Sequence, residues 1–125
     1  MFGRKKQNKT AGPQRSLTEL EKLCADDKET YDALFPVIFR DPRKIETPVK
    51  QASDNAKRFE KEKDMVSARM WYEVAGGLSI YEGNAKKVAE YYGAAAKVTG
   101  QEYLILKNPE KAVAKAQEYY SKYLT

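Results

Sequence analysis

Apolar side chains recur every three or four positions along most of the chain, which is the spacing of one face of an α-helix. The recurrence runs from Ser16 to Leu124. β-branched residues are sparse, and 103–106 is the only short apolar run that suits strand pairing. The pattern therefore predicts an all-α fold, an antiparallel helical bundle of four to six helices.

Polar caps and glycines divide this stretch into separate helices. An N-cap side chain followed by proline at the first helical position occurs at Asp41-Pro42, Thr47-Pro48 and Asn108-Pro109. Asp64 is a further cap, and Gly100 fits the position after a helix end. These boundaries predict a single domain over residues 16–125, with a C-terminal helix at about 109–124.

Two adjacent glycines, Gly76 and Gly77, interrupt one of the predicted helices. Each glycine costs a helix about 1 kcal/mol relative to alanine. We expect a close helix contact at Gly76 as the reason for this cost, and a local kink is the alternative. Neither glycine has a phosphate-binding spacing.

The positive charge of the chain is concentrated at its N-terminus. The net charge of +5 comes from 23 basic and 18 acidic residues, and five of the basic residues with no acid lie within residues 1–15. The remaining 18 basic residues balance the 18 acids, so residues 16–125 are neutral. We therefore predict a basic flexible tail over residues 1–15. It either only solubilises the chain or contacts nucleic acid or an anionic membrane surface through Arg4, Lys5, Lys6, Lys9 and Arg15.

The absence of histidine and the single cysteine exclude several kinds of chemistry. A Ser–His–Asp or Cys–His site has no base, and a His-ligated metal is impossible. One cysteine cannot form an intramolecular disulfide, which favours a reducing, cytoplasmic location. We expect a non-enzyme with no metal, cofactor or small-molecule substrate, and Cys24 as a small core residue. A carboxylate- or lysine-based enzyme is the remaining catalytic alternative.

A small residue, an aromatic four positions later and a small residue three positions after that occur twice. The two sets are Ala68, Tyr72 and Ala75, and then Val88, Tyr92 and Ala95. Spacings of four and three place all three residues on one helix face. Small residues let two helices approach closely, and the aromatic ring fills the space beside them.

This pattern resembles helix B of a tetratricopeptide repeat, with Ala56, Phe59 and Asp64 at matching positions of the preceding helix and turn. The resemblance is degenerate and covers about 50 residues, so the tetratricopeptide-like core is expected at about 48–98. A second register, through Tyr72, Gly76 and Val88, also fits. A three-helix relative such as the microtubule-interacting-and-trafficking domain packs similarly and stays open. The resemblance implies a binding module for a peptide or partner helix.

Eight of the nine tyrosines lie between Tyr72 and Tyr123. They are interpreted either as core residues or as a partner-binding surface, because tyrosine is enriched at interfaces. Two pairs are adjacent in sequence, Tyr91-Tyr92 and Tyr119-Tyr120. Adjacent residues on a helix point about 100° apart, so one tyrosine of each pair should be exposed. We predict partner contacts at Tyr81, Tyr91, Tyr103 and Tyr119.

The predicted function is that of a non-catalytic adaptor or assembly subunit, which binds a partner protein or a larger assembly through this tyrosine-rich helical surface. The alternative is an RNA- or ribonucleoprotein-associated accessory protein that uses the basic tail.

Overall fold

The computed structural model describes residues 19–124, and within that range it confirms the all-α bundle. The described residues form six helices, two 3-10 turns (Pro42–Lys44 and Leu104–Lys107) and no strand. None of these helices is both long and apolar enough to cross a bilayer. The helices are 19–23 (α1, as far as it is described), Lys28–Leu34 (α2), Val49–Lys61 (α3), Met65–Glu82 (α4), Ala85–Thr99 (α5) and Pro109–Tyr123 (α6).

Four helices begin at a polar cap whose side-chain oxygen accepts a hydrogen bond from the backbone N–H three residues later. The cap residues of α2, α4, α5 and α6 are Asp27, Asp64, Asn84 and Asn108. Helix α3 differs, because Pro48 rather than Thr47 stands at its N-cap and has an extended ψ of 157°. The helix consequently begins one residue later than predicted and has no side-chain cap.

Helices α3, α4 and α5 form two successive antiparallel hairpins joined by turns of two or three residues. Small residues line the contacts between them, because an alanine side chain lets two helix backbones approach closely. These residues are all fully buried: Ala52, Ala56, Ala68, Ala75 and Ala95. Both small-aromatic-small sets therefore face the core, with Tyr72 and Tyr92 buried beside them.

Each glycine of the pair in α4 packs against an aromatic ring. A Cβ atom added to Gly76 would lie 2.5 Å from Cε2 of Tyr92 on α5. A Cβ atom on Gly77 would overlap the ring of Phe39, which lies between α2 and α3. The close helix contact expected at Gly76 is therefore present, and Gly77 provides a second contact of the same kind.

Helix α6 packs against α2, α4 and α5. The side-chain amide of Gln117 donates to the carbonyl oxygens of Ile80 and Tyr81, each at 2.8 Å, so α6 is held at the C-terminal end of α4. Asp27, the cap of α2, forms an ion pair with Lys111 of α6 at 2.9 Å. Cys24 is buried, as predicted, and this burial raises the pKa of its thiol.

Replacing Gly76 by alanine should destabilise the protein. The added methyl group meets the fully buried ring of Tyr92, and overpacking of this kind costs about 1–3 kcal/mol, more than the gain of about 1 kcal/mol in helix propensity. The matched control is Gly93→Ala on α5, where a Cβ atom meets nothing within 4 Å. It should stabilise the protein in urea unfolding. Equal stabilisation by both substitutions would contradict the close contact.

Part of the acid sensitivity of the fold should come from Asp27. Hydrogen bonds from Thr30 and Lys111 lower the pKa of its carboxyl from 3.8 to about 2. Because the folded pKa is depressed, this contribution is complete above the unfolded pKa and is lost as the pH falls from about 4 to 2.

Unfolding free energies measured across that pH range should fall less steeply for Asp27→Asn, which can still cap α2. Lys111→Met should give an intermediate slope, since the hydrogen bonds from Thr30, the larger cause, remain. An unchanged slope for Asp27→Asn would show that other carboxylates account for the acid sensitivity.

Candidate functional site

The connecting segment, residues 35–48, joins α2 to α3 and lies against the C-terminal halves of α4 and α6. Three contacts hold it in place. The ring of Phe39 packs on Gly77, and the backbone oxygen of Phe39 accepts a 2.6 Å hydrogen bond from the hydroxyl of Tyr120. Arg43 donates from Nη1 to the carbonyl oxygen of Leu124 at 3.0 Å. The segment is thereby a fixed part of the surface.

The 3-10 turn of this segment is closed by one carboxylate and one guanidinium. The Asp41 carboxylate accepts a hydrogen bond from the backbone N–H of Arg43 at 3.1 Å. It also accepts hydrogen bonds from the Arg43 side chain, from Nε at 2.8 Å and from Nη2 at 3.1 Å. Paired donors of this geometry match the two oxygens of a carboxylate. The side-chain hydrogen bond from Arg43 is the main reason why the pKa of Asp41 is lowered.

Four tyrosines form a continuous line of ring contacts beside the connecting segment, which we call the tyrosine row. Tyr81 of α4 meets Tyr120 of α6 edge to face, with 5.3 Å between ring centroids. Tyr120 contacts Tyr119 at 5.6 Å, and Tyr119 contacts Tyr123 at 5.2 Å. The two end members are exposed, Tyr81 to 36% and Tyr123 to 40%, whereas the two middle members are buried.

A shallow depression of about 240 Å³ lies at the Tyr81 end of the row, and we call it the apolar hollow. It separates the connecting segment from the end of α4. Its apolar lining suits a hydrophobic side chain of a partner, because depressions of this kind accept aliphatic or aromatic anchors. The apolar lining residues are Pro42, Ile45, Pro48, Val49, Leu78 and Tyr81, and the polar side chains of Arg43, Glu46, Thr47 and Glu82 complete the wall.

A larger depression of about 430 Å³, the charged cleft, lies at the Tyr123 end of the row. One of its two acids, Asp41, is paired with Arg43. The other, Glu19, has no cationic partner among residues 19–124, and its hydrogen bond with Tyr123 raises the pKa of that phenol. Neither Arg40 nor Lys44 has an ion-pair partner among residues 19–124. The lining is completed by Tyr119 and Leu124; in full it is Glu19, Arg40, Asp41, Lys44, Tyr119, Tyr123 and Leu124.

The structure brings only two of the four predicted contact tyrosines to this site. Tyr81 is exposed, as expected. The exposure predicted for Tyr119 is wrong, because α6 has neighbours on more than one side, and Tyr119 is only 5% exposed between Tyr120 and Tyr123. It still reaches the wall of the charged cleft.

The exposure predicted for Tyr91 and Tyr103 is also wrong, since these side chains are 5% and 7% exposed. Helix α5 packs against both α4 and α6, so more than one of its faces is buried. The adjacent residues Tyr91 and Tyr92 are therefore both covered. Tyr103 packs on Tyr92 with 5.3 Å between centroids, and its hydroxyl donates to Glu73 at 2.5 Å. Both tyrosines belong to the core, away from the tyrosine row.

Arg40, Lys44 and Tyr123 were not singled out from the sequence as site residues. The i,i+4 spacing of Tyr119 and Tyr123 is a signal that could have indicated the end of the row. Nothing in the sequence places Arg40 and Lys44 beside that end, because the contact between the connecting segment and α6 joins residues about 80 positions apart.

The basic tail residues Arg4, Lys5, Lys6, Lys9 and Arg15 lie outside the described residues. Within residues 19–124, no group of three or more histidine, cysteine, aspartate or glutamate side chains is arranged to hold a metal ion.

Replacing a tyrosine by phenylalanine removes its hydroxyl and keeps its ring, so the substitution measures the contribution of the hydrogen bond alone. Tyr120→Phe should lower the unfolding free energy by about 1 kcal/mol, because it removes the bond to the Phe39 oxygen that fixes the connecting segment. Tyr92→Phe is the matched control, since the buried hydroxyl of Tyr92 has no hydrogen-bond partner among the described residues. Its stability in urea should be unchanged or higher. An equal loss in both variants would contradict the assignment.

Comparison with known proteins gives no relative from which a role for this site can be inferred. No protein-family model matches the chain, and no curated protein or solved structure is significantly similar to it.

Proposed function

We propose that this protein is a non-catalytic interaction module that binds a partner protein across the tyrosine row and the connecting segment. The observation that carries the proposal is the row itself, in which an exposed tyrosine stands at each end and each end borders a depression. Tyrosine offers a large contact area with few rotatable bonds, so it is well suited to anchor a partner.

The rigidity of the surface supports the same proposal. Phe39, Arg43 and Tyr120 fasten the connecting segment to α4 and α6, so a partner would meet a preformed surface. A preformed surface loses less conformational entropy on binding than a mobile one. The tetratricopeptide-like arrangement of α3, α4 and α5 is part of this proposal, and these helices provide the rigid support behind the row.

The hollow and the cleft give the two ends of the row different chemistry. The hollow offers mainly aliphatic and proline surface, whereas the cleft offers charged side chains, of which Arg40 and Lys44 have no ion-pair partner within residues 19–124. A partner segment that crosses the row therefore needs an apolar side chain at one end and polar groups at the other, which would make recognition directional.

A photo-crosslinking amino acid in place of Tyr81 should form a covalent adduct with a partner protein in native cells. The control position is Met70, which is also exposed on α4 but lies nearer the other end of that helix. Adducts from position 81 and none from position 70 are expected. In co-purification, Tyr81→Ala should reduce capture of the same partner about tenfold or more, as loss of an interface anchor does.

The two crosslinking variants and Tyr81→Ala must show the same helicity by circular dichroism as the unmodified protein. Equal crosslinking from positions 70 and 81 would contradict the proposed surface. Capture that depends on residues 1–15 and not on Tyr81 would instead favour the alternative function, in which the basic tail binds RNA.

A further inference from the structure

We propose that the charged cleft binds an acidic segment of the partner protein, whose carboxylates pair with Arg40 and Lys44. This inference rests on the proposed function, because it specifies the chemistry of the partner at one end of the tyrosine row.

The cleft and its rim carry a small excess of positive charge, because Arg40, Lys44 and the adjoining Arg43 face two acids, Asp41 and Glu19, which leaves one cation in surplus. The guanidinium of Arg43 pairs with Asp41, whereas Glu19, which is hydrogen-bonded to the neutral phenol of Tyr123, keeps its negative charge. Arg40 and Lys44 are exposed and have no ion-pair partner within residues 19–124. Within residues 19–124, a carboxylate of the partner would therefore pair with these cations while the bonds between Asp41 and Arg43 stay in place.

The apolar groups in the wall favour a polypeptide over an isolated anion. Tyr119, Tyr123 and Leu124 line the cleft beside the two cations. A volume of about 430 Å³ accommodates a few side chains. An acidic segment that also carries aliphatic residues satisfies both parts of the lining, because its carboxylates meet the cations while its apolar side chains cover Tyr123 and Leu124.

The wall is less suited to a polyanion such as RNA. The cleft and its rim hold only one surplus positive charge, and the C-terminal end of α6 adds partially negative carbonyl groups nearby, so a segment with few carboxylates suits the cleft better than a polyanion does. The basic residues 1–15 of the chain itself are also poor occupants, since they carry five cations and no acid. Like charges directly opposed disfavour such a contact.

The cations are exposed, so the contact should be electrostatically guided and sensitive to salt. The probe is a fluorescein-labelled peptide of glutamate and leucine, compared with the same peptide carrying glutamine for every glutamate. Fluorescence anisotropy with the full chain should show binding of the glutamate peptide only. The affinity should fall as ionic strength rises.

The double variant Arg40→Glu and Lys44→Glu should weaken this binding at least tenfold. The matched control is Lys57→Glu with Lys61→Glu on the exposed face of α3, which changes the net charge equally. The control should keep its affinity to within about twofold. A peptide with lysine for every glutamate should bind the cleft variant better than the unmodified protein.

Three results would overturn the inference: no binding of the glutamate peptide to the unmodified protein, equal losses in both double variants, or displacement of the peptide by an oligouridine that itself loses affinity in the cleft variant. Crosslinking from position 81 is measured independently. Its success together with a failed peptide experiment would leave the proposed function standing and remove only the acidic partner.

Discussion

The whole arrangement depends on the contact of two aromatic rings with the backbone of α4. Gly76 and Gly77 have no side chains, so Tyr92 and Phe39 can lie directly against that helix. The two glycines cost α4 about 2 kcal/mol in helix propensity. Fully burying a large apolar side chain contributes about 1.5–3 kcal/mol, so the buried ring of Tyr92, together with the partly buried ring of Phe39, offsets the cost. The first contact sets the approach of α5, and the second fixes the start of the connecting segment.

The tyrosines of the core show how a bundle of small residues accommodates large ones. The hydroxyls of Tyr72, Tyr103 and Tyr120 each reach an oxygen at the edge of the core, at distances of 2.5–2.7 Å. Burial and the Glu60 carboxylate together raise the pKa of Tyr72 to about 12, so it remains a donor throughout the neutral range. The rings fill the interior, and the hydroxyls bind neighbouring elements together.

The candidate site follows from the same contacts. Because Phe39 is seated on Gly77 and Tyr120 holds its carbonyl oxygen, the 3-10 turn at Pro42–Lys44 projects between α4 and α6. One depression opens on each side of that turn, and the tyrosine row connects them. The site is therefore a consequence of how the longest connection between helices is held, rather than of any one helix.

The sequence by itself determined the helical fold, the polar caps of α4 and α6 and the identity of the small residues at the helix contacts, whereas the cap predicted for α3 at Thr47 is wrong. These features depend on local spacing and on side chains that bond to backbone three residues away, as at Asp64 and Asn108. It also indicated the close contact at Gly76. Only the tertiary structure decided which tyrosines are exposed, because exposure depends on how many neighbours each helix has. Tyr91 and Tyr119 are covered for this reason, whereas Arg40 and Lys44 line the same cleft as Tyr123 because the connecting segment is held against α6, far along the chain.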